Sequence, residues 1–275
     1  MNTSDQDHQS LERKPLLEFV ADTAACIRFF SRIPVPRLCR FDSPNREPDF
    51  SSISRAIPLA GFFVALPAAI LGFLLGLTEL PPLVVGFLVV GTLALTTGAL
   101  HEDGLADVAD GFFGGSSPES RLDIMKDSRI GAFGTVTLIV CLGLKVCLIA
   151  GLLDRFNAGE AMLILLGAES LSRLMIVWKW QDLPSARPGG LGIRFGRPEG
   201  KMLGQASIFA AITLIPAAIS LSIFSLSLGL LLAAALSHGL GQLAVGKIKG
   251  FTGDVLGAIQ QLSALGFLVG ALITA

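Results

Sequence analysis

The feature that most constrains this chain is a series of seven apolar segments, each close to twenty residues long. An α-helix of about twenty apolar residues can cross a bilayer, because it satisfies its own backbone polar groups. Only 16% of the residues are charged, whereas a typical soluble domain carries about 25%. We therefore predict an all-α fold, a polytopic integral membrane helical bundle with about seven transmembrane helices. The predicted spans are about 57–77, 81–100, 134–153, 158–178, 205–225, 228–246 and 254–274.

The N-terminal part differs from these spans. Residues 1–14 are polar and predict a disordered tail, and residues 15–275 then form a single membrane domain. Between residues 15 and 33, apolar side chains from Leu16 to Phe30 recur at helical spacing. This pattern predicts an amphipathic helix that lies at the membrane interface or packs on the bundle.

The distribution of basic residues predicts the orientation in the membrane. Eighteen of the 21 Lys and Arg residues lie in the N-terminal segment or in loops on its side, and Arg155 alone lies on the other side. Because basic loops stay in the cytoplasm, we expect a multi-pass protein of the cytoplasmic (inner) membrane with its polar loops in the cytoplasm. The lipid bilayer is the expected partner. The net charge of −1 does not indicate a nucleic-acid partner, and we expect none.

An acidic stretch directly follows the second span, where residues 101–115 read HEDGLADVADGFFGG. Asp103, Asp107 and Asp110 are spaced i, i+4 and i+7, which places them on one stripe of a helix. Stacked like charges repel each other, and clustered carboxylate oxygens suit a hard cation such as Mg²⁺. We therefore predict these three aspartates as metal ligands, with Glu102 outside the stripe. A solvated acidic helix end is the alternative interpretation.

Three residues of this stretch are candidates for catalysis. An aspartate that a metal does not fully engage can act as a general base, which makes Asp103 and Asp107 candidates. His101 points away from the stripe on an ideal helix. It is a candidate proton carrier, and an ordinary interfacial histidine is the alternative.

Three further loops on the same side carry candidate substrate-binding residues. Arg and Lys bind phosphate oxygens, and glycine turns free backbone N–H groups for anions. Ordinary positively charged loops and, at the start of the last span, a helix cap are the alternatives. The candidates are Arg121, Lys126, Arg129, Arg187, Gly189, Gly190 and Asp254.

Three charged residues fall inside the predicted spans, namely Lys145, Glu169 and Arg173. Charges are costly in lipid, so we expect these side chains to face the interior of the bundle. Glu169 and Arg173 are four residues apart and can pair.

Taken from the residues alone, the pattern suits phosphoryl transfer. A carboxylate-held Mg²⁺ neutralises developing charge and orients the phosphate, while basic loops bind its oxygens. The residues name no substrate.

The chain also resembles the cobalamin synthase family, the adenosylcobinamide-GDP ribazoletransferases. The resemblance runs in consistent order from about residue 19 to the C-terminus, and its most specific part is the acidic stretch followed by KDSRIGAFG at 126–134. Further matching segments are FSRIPVP at 30–36, RPGGLG at 187–192 and TGDVLGA at 252–258.

The resemblance implies a membrane transferase of late cobalamin (vitamin B12) biosynthesis that uses Mg²⁺. It joins α-ribazole, or its 5′-phosphate, to adenosylcobinamide-GDP, releasing GMP and forming adenosylcobalamin or its 5′-phosphate. It also implies that the aspartate stripe holds Mg²⁺ against the pyrophosphate, that Lys126 and Arg129 bind phosphate oxygens, and that a ribazole hydroxyl attacks in line. A homo-oligomer and contacts with other enzymes of the pathway are further expected partners.

The sequence departs from the family pattern in the last span. Gln260, Gln261 and Ala264 stand where we expect acidic residues in many members, which puts a metal ligand from inside that span in doubt.

Two other functions remain as alternatives. A CDP-alcohol phosphotransferase also uses an aspartate-rich cytoplasmic helix, but residues 107–108 read DV where its DGxxAR pattern requires Ala-Arg. An ion-coupled transporter would place its carboxylates near mid-membrane, whereas these lie at a span end.

Overall fold

The computed structural model describes residues 15–273, and regular secondary structure in this range consists of helices joined by short turns and loops. The predicted disordered tail, residues 1–14, lies outside the described residues. We number the helices α1 (Pro15–Phe30), α2 (Phe50–Ile53, continued by a 3₁₀ turn at Ser54–Ala56), α3 (Ile57–Gly76), α4 (Pro82–Thr97), α5 (Leu100–Gly114), α6 (Pro118–Ile124), α7 (Ala132–Arg155), α8 (Ala158–Asp182), α9 (Leu191–Arg194), α10 (Gly200–Ser220), α11 (Ile223–Ile248) and α12 (Gly253–Ile273).

Six helical segments are long and apolar enough to cross a membrane, and a seventh arises if a bent pair is counted as one span. The six are the continuous segment Phe50–Gly76 and helices α7, α8, α10, α11 and α12. This confirms the prediction of an all-helical polytopic membrane bundle with about seven spans.

The bent pair is α4 and α5, whose axes differ by 91°. The predicted second span, 81–100, therefore ends early at Thr97. Gly98 and Ala99 both adopt left-handed backbone conformations, with φ of 64° and 57°, and the Ala99 N–H closes α4 by donating to the Ala94 carbonyl at 2.8 Å. Because α4 is apolar and α5 carries the acidic residues, we treat α4 as the membrane segment and α5 as a helix lying across the end of the bundle.

The boundary between the fifth and sixth spans was also predicted about five residues too late. Helix α10 ends at Ser220 and α11 begins at Ile223. Ser222 defines this start, since its hydroxyl accepts a hydrogen bond from the Ser225 N–H at 3.0 Å. Serine is a common N-cap residue, but the continuous apolar character on both sides hides it in a search for spans.

Helices α8 and α12 form the centre of the bundle. Their apolar windows are 83% and 78% buried within the protein, whereas the other candidate spans are buried by 22–39%. Helices α3, α10, α5, α7 and α11 pack around this pair. The outer helices expose large apolar side chains such as Ile139, Ile219 and Leu231, as expected for surfaces that face lipid.

The charged residues inside the spans form one buried network, as predicted for the bundle interior. The Glu169 carboxylate accepts a hydrogen bond from Lys145 Nζ at 2.7 Å and also pairs with the Arg173 guanidinium. Gln260 Nε2 of α12 donates to Glu169 at 3.1 Å and to Ser172 Oγ at 2.9 Å. The network joins α7, α8 and α12.

The N-terminal helix α1 packs on the bundle. Phe19 stacks on Phe209 of α10 with ring centroids 4.1 Å apart, and Asp22 pairs with Arg55 at 2.8 Å. Arg28 pairs with Asp42 at 2.6 Å, which fixes the polar segment after α1. The end of α1 lies next to α5, since the Phe30 and His101 ring centroids are 6.2 Å apart.

Candidate active site

The acidic stripe lies along one side of α5, near the starts of α7 and α12. Asp103 is exposed, whereas Asp107 and Asp110 are half-buried. Gly104 lets the first turn of α12 approach closely, because a Cβ at this position would lie 2.8 Å from the Asp254 carbonyl oxygen and 2.9 Å from its Cα. A side chain larger than hydrogen would separate the two helices. Asp254 is therefore brought next to the stripe, as its place in the sequence suggested.

Asp107 is the electrostatic centre of these carboxylates. Burial, followed by repulsion from Asp103, Asp254 and Asp110, raises the pKa of Asp107 to about 7. A carboxylate surrounded by others keeps its proton more tightly. Burial and the charges of these neighbours therefore oppose the ionisation of Asp107.

Asp110 has a distinct role within the stripe. Its carboxylate accepts hydrogen bonds from the backbone N–H of Gly131 at 2.7 Å and of Gly134 at 2.8 Å. These two groups belong to the start of α7, where N–H groups have no partner within the helix. Asp110 therefore caps α7 from a neighbouring helix.

A helix cap was the alternative interpretation of Asp254. In the structure, Thr252 is the residue that caps the start of α12. Its hydroxyl oxygen accepts from the Val255 N–H at 3.4 Å and donates to Asp254 Oδ2 at 3.1 Å. Asp254 also lines a cavity next to the acidic stripe.

The loop carrying Arg187 is fixed beside Asp254. Backbone hydrogen bonds join Phe251 N–H to Pro184 at 2.8 Å and Ala186 N–H to Phe251 at 3.0 Å. The Arg187 guanidinium donates to the Leu122 carbonyl at 2.6 Å and interacts electrostatically with Asp254. Gly189, with φ of 75°, and Gly190 form the turn that follows.

The other predicted basic residues divide into two groups. Arg121 is half-buried and donates to the Lys247 carbonyl at 3.1 Å, which ties α6 to α11. Lys126 and Arg129 are exposed, and each lies beside an acidic residue that is close in sequence. Those neighbours are Asp123, 4.0 Å from Lys126, and Asp127, 2.6 Å from Arg129.

His101 lies inside the protein rather than at a solvated interface. It is 2% exposed, and its ring lies nearly parallel to that of Phe30, with centroids 6.2 Å apart. It lines a cavity of about 250 Å³ next to the acidic stripe, because Asp103 and Asp254 also line it.

Several residues of this cavity were missed by reasoning from the sequence, notably Phe29 and Trp180. Trp180 follows the predicted end of the fourth span, where a tryptophan is an ordinary membrane-interface residue. The match at 30–36 was the one signal pointing to the end of α1.

Glu102 lies outside the stripe, as predicted. It is buried and accepts a hydrogen bond from Gln261 Nε2 at 2.9 Å. Gln261 stands where an acidic residue was expected, and its side-chain amide donates a hydrogen bond to the buried Glu102 carboxylate. An acid at this position would place two carboxylates in contact.

The carboxylates near the stripe are oxygen donors, the ligand type that Mg²⁺ requires. Among residues 15–273, no three His, Cys, Asp or Glu side chains are grouped tightly enough to form a complete metal site. Mg²⁺ usually takes one or two carboxylates and completes its shell with water and substrate phosphates. Asp103, Asp107 and Asp254 are oxygen donors of the required kind, so the residues fit a magnesium ion that shares its shell with a phosphorylated substrate.

Comparison with known proteins agrees with the resemblance noted in the sequence. The family model described as cobalamin-5-phosphate synthase matches residues 22–272. Proteins named adenosylcobinamide-GDP ribazoletransferase from Brucella anthropi, Brucella canis and Brucella suis are 46%, 41% and 41% identical. Each alignment covers 255 residues, which is 91% of this chain and 96% of the relative. No solved structure matches the chain. The chain therefore belongs to the cobalamin-5-phosphate synthase family.

Proposed function

We propose that this protein transfers α-ribazole, or its 5′-phosphate, to adenosylcobinamide-GDP in a Mg²⁺-dependent reaction on the cytoplasmic face of the inner membrane. The products are GMP and adenosylcobalamin, or its 5′-phosphate. The names of its relatives support the substrates. The observation that carries the proposal is the group of carboxylates formed by Asp103, Asp107 and Asp254 where α5 meets the start of α12. The concentration of basic residues on this side supports the cytoplasmic orientation.

In this reaction a ribose hydroxyl of α-ribazole forms a bond to the phosphorus that carries cobinamide. The bond from that phosphorus to the bridging oxygen breaks, and the oxygen leaves with GMP. Mg²⁺, when bound, neutralises the diphosphate and the charge that develops on the leaving group.

The surroundings of each carboxylate indicate whether it holds the cation, accepts the hydroxyl proton or positions another helix. We assign Asp103 and Asp254 to hold the cation, since both carboxylates line the cavity. Asp107, whose pKa is raised to about 7, is suited to take the hydroxyl proton, because a general base works best with a pKa near the working pH. Asp107 remains a candidate ligand as well. We assign Asp110 to positioning α7, and through it the glycine turn at 131–134.

The basic side chains provide the anion-binding part of the site. Arg187 is fixed beside Asp254 and is the candidate nearest to the carboxylates for a phosphate oxygen. Lys126 and Arg129 lie on an exposed loop with acidic neighbours. We propose that Lys126 and Arg129 leave these acidic neighbours and bind phosphate oxygens of the substrate when the diphosphate binds.

The test is an assay of GMP release by the purified protein in lipid nanodiscs with adenosylcobinamide-GDP, α-ribazole and Mg²⁺. The intact protein should release GMP only when both substrates and the cation are present. Asp107→Asn should reduce turnover by about 100-fold or more, the usual range for a general base. Asp154→Asn is the matched control, because Asp154 is exposed near the other end of the bundle. Absence of GMP release by the intact protein, or full activity of Asp107→Asn, would contradict the proposal.

A further inference from the structure

The cavity beside the acidic stripe is lined by both aromatic rings and carboxylates. It lies between the end of α1, the start of α5, the end of α8, helix α9 and the start of α12. Three aromatic rings and a histidine line it together with aliphatic side chains, and two carboxylates of the proposed active site mark one side. Its lining includes Phe29, Phe30, His101, Trp180, Asp103 and Asp254.

Two buried side chains in this lining lack hydrogen-bond partners. His101 is 2% exposed and Trp180 is 0% exposed, and neither ring nitrogen of His101 nor Nε1 of Trp180 has a partner among residues 15–273. A buried polar group without a partner lowers stability, and the indole N–H of a buried tryptophan usually finds one. Because both residues line the cavity, we infer that a ligand bound there supplies the missing partner.

The aromatic walls define the shape of that ligand. Phe29 and Phe30 meet edge to face with centroids 4.9 Å apart, and the His101 ring lies within 14° of parallel to the Phe30 ring. Flat aromatic walls favour a planar aromatic guest. A volume of about 250 Å³ has room for one bicyclic ring system and not for a corrin macrocycle.

We propose that this cavity binds the benzimidazole base of α-ribazole, a subsite that rests on the proposed function. The base is planar and largely apolar. Its one free ring nitrogen accepts a hydrogen bond from the indole N–H of Trp180 or from a ring N–H of His101. The ribose then extends toward Asp103 and Asp254, which places its hydroxyl among the carboxylates. Guanine fits less well, because its edge presents several donors and acceptors that the mainly apolar walls would leave unpaired.

Trp180→Phe tests the proposal, because it keeps the aromatic ring and removes only the N–H group. Trp178→Phe is the matched control. Trp178 lies two residues earlier on α8, packs against Lys179 with Nζ 3.6 Å from the ring centroid, and does not line the cavity.

Binding of α-ribazole is measured by equilibrium dialysis against each variant in nanodiscs, with GDP as the second probe. We expect Trp180→Phe to weaken α-ribazole binding by about 2- to 13-fold, the range for one lost hydrogen bond. GDP binding should be unchanged. In the transfer assay its KM for α-ribazole should rise while the KM for adenosylcobinamide-GDP stays constant, and Trp178→Phe should match the intact protein in every measurement.

A second variant fills the cavity without removing a polar group. Leu191 of α9 is partly exposed and lines the cavity, so Leu191→Trp should block the base while the fold is kept, as checked by an unchanged melting temperature. Unaltered α-ribazole binding in both Trp180→Phe and Leu191→Trp would overturn the proposal, as would a selective loss of GDP binding. These results are distinct from a failure of the proposed function, in which the intact protein itself releases no GMP.

Discussion

The capping of α7 by Asp110 leads to a prediction that separates two aspartates of the same stripe. Asp110→Ala removes two hydrogen bonds, of 2.7 and 2.8 Å, from a carboxylate to the N–H groups of Gly131 and Gly134. A hydrogen bond to a charged group contributes about 1.5–3 kcal/mol, and a helix cap about 0.5–2 kcal/mol. Because Asp110 is half-buried, solvent replaces part of this interaction, and we expect a loss of about 2–3 kcal/mol for the pair.

For a chain of this size, such a loss corresponds to a fall in melting temperature of roughly 4–12 °C. The assay is thermal unfolding of the purified protein in detergent with a chelator, so that bound cations do not contribute. Asp107→Ala is the matched comparison, one turn earlier on α5. It should leave the melting temperature unchanged or raise it, because removing this carboxylate relieves repulsion from its neighbours.

Equal melting temperatures for the two alanine variants would refute the capping argument. The same conclusion would follow if Asp110→Asn abolished GMP release without lowering the melting temperature, since that result would return Asp110 to the metal shell. A lower melting temperature together with partial activity is the expected result for Asp110→Asn.

The remaining predictions concern the buried ion pairs of Glu169, the contact between α5 and α12, and the pH dependence of stability. Glu169→Gln should destabilise the bundle by about 3–5 kcal/mol, because it leaves two buried cations unpaired; unaltered thermal unfolding would contradict this. Gly104→Ala should lower turnover at least tenfold by pushing Asp254 off α5, whereas Gly91→Ala, with open space around its Cβ, should not. The raised pKa of Asp107, about 7, means that the folded protein binds a proton that the unfolded chain releases near pH 4. Its contribution to metal-free stability should therefore fall as pH rises from about 4 to 7, and this slope should be smaller in Asp107→Asn.

Most of the fold could be predicted from the sequence because lipid demands long apolar helices. The predicted span boundaries are wrong where the backbone conformation of one or two residues ends a helix. The second span ends at Gly98, φ 64°, a glycine at a common helix-capping position that lies within an apolar run, and the left-handed Ala99 beside it, φ 57°, begins α5. The early end of α10 likewise depends on a single capping serine at position 222.

The candidate site could be predicted in part for a similar reason. Helical spacing placed Asp103, Asp107 and Asp110 on one stripe, but the spacing treats the three as equivalent. Their partners distinguish them, since Asp110 binds the start of α7 and Asp107 faces three other carboxylates. Contacts of this kind join residues far apart in sequence, and periodicity within one helix carries no information about them.

The packing of α5 against α12 explains how a short helix keeps like charges on one stripe. Residues of α5 outside the stripe contact α12 at three points, two of them through a glycine and one through a hydrogen bond between side chains. These pairs are Gly104–Asp254, His101–Gly257 and Glu102–Gln261. Packing alone can therefore hold α5 in place, and a cation is not needed for the helix to form.

The repulsion nevertheless remains in the folded protein, because the pKa of Asp107 is raised to about 7. Burial and three neighbouring carboxylates oppose its ionisation, so part of the free energy of folding holds these groups together. Under the proposed function, a divalent cation held by Asp103 and Asp254 together with the diphosphate would offset that repulsion. We infer that the bundle is built to keep the carboxylates close before the cation binds, which makes cation and substrate binding mutually favourable.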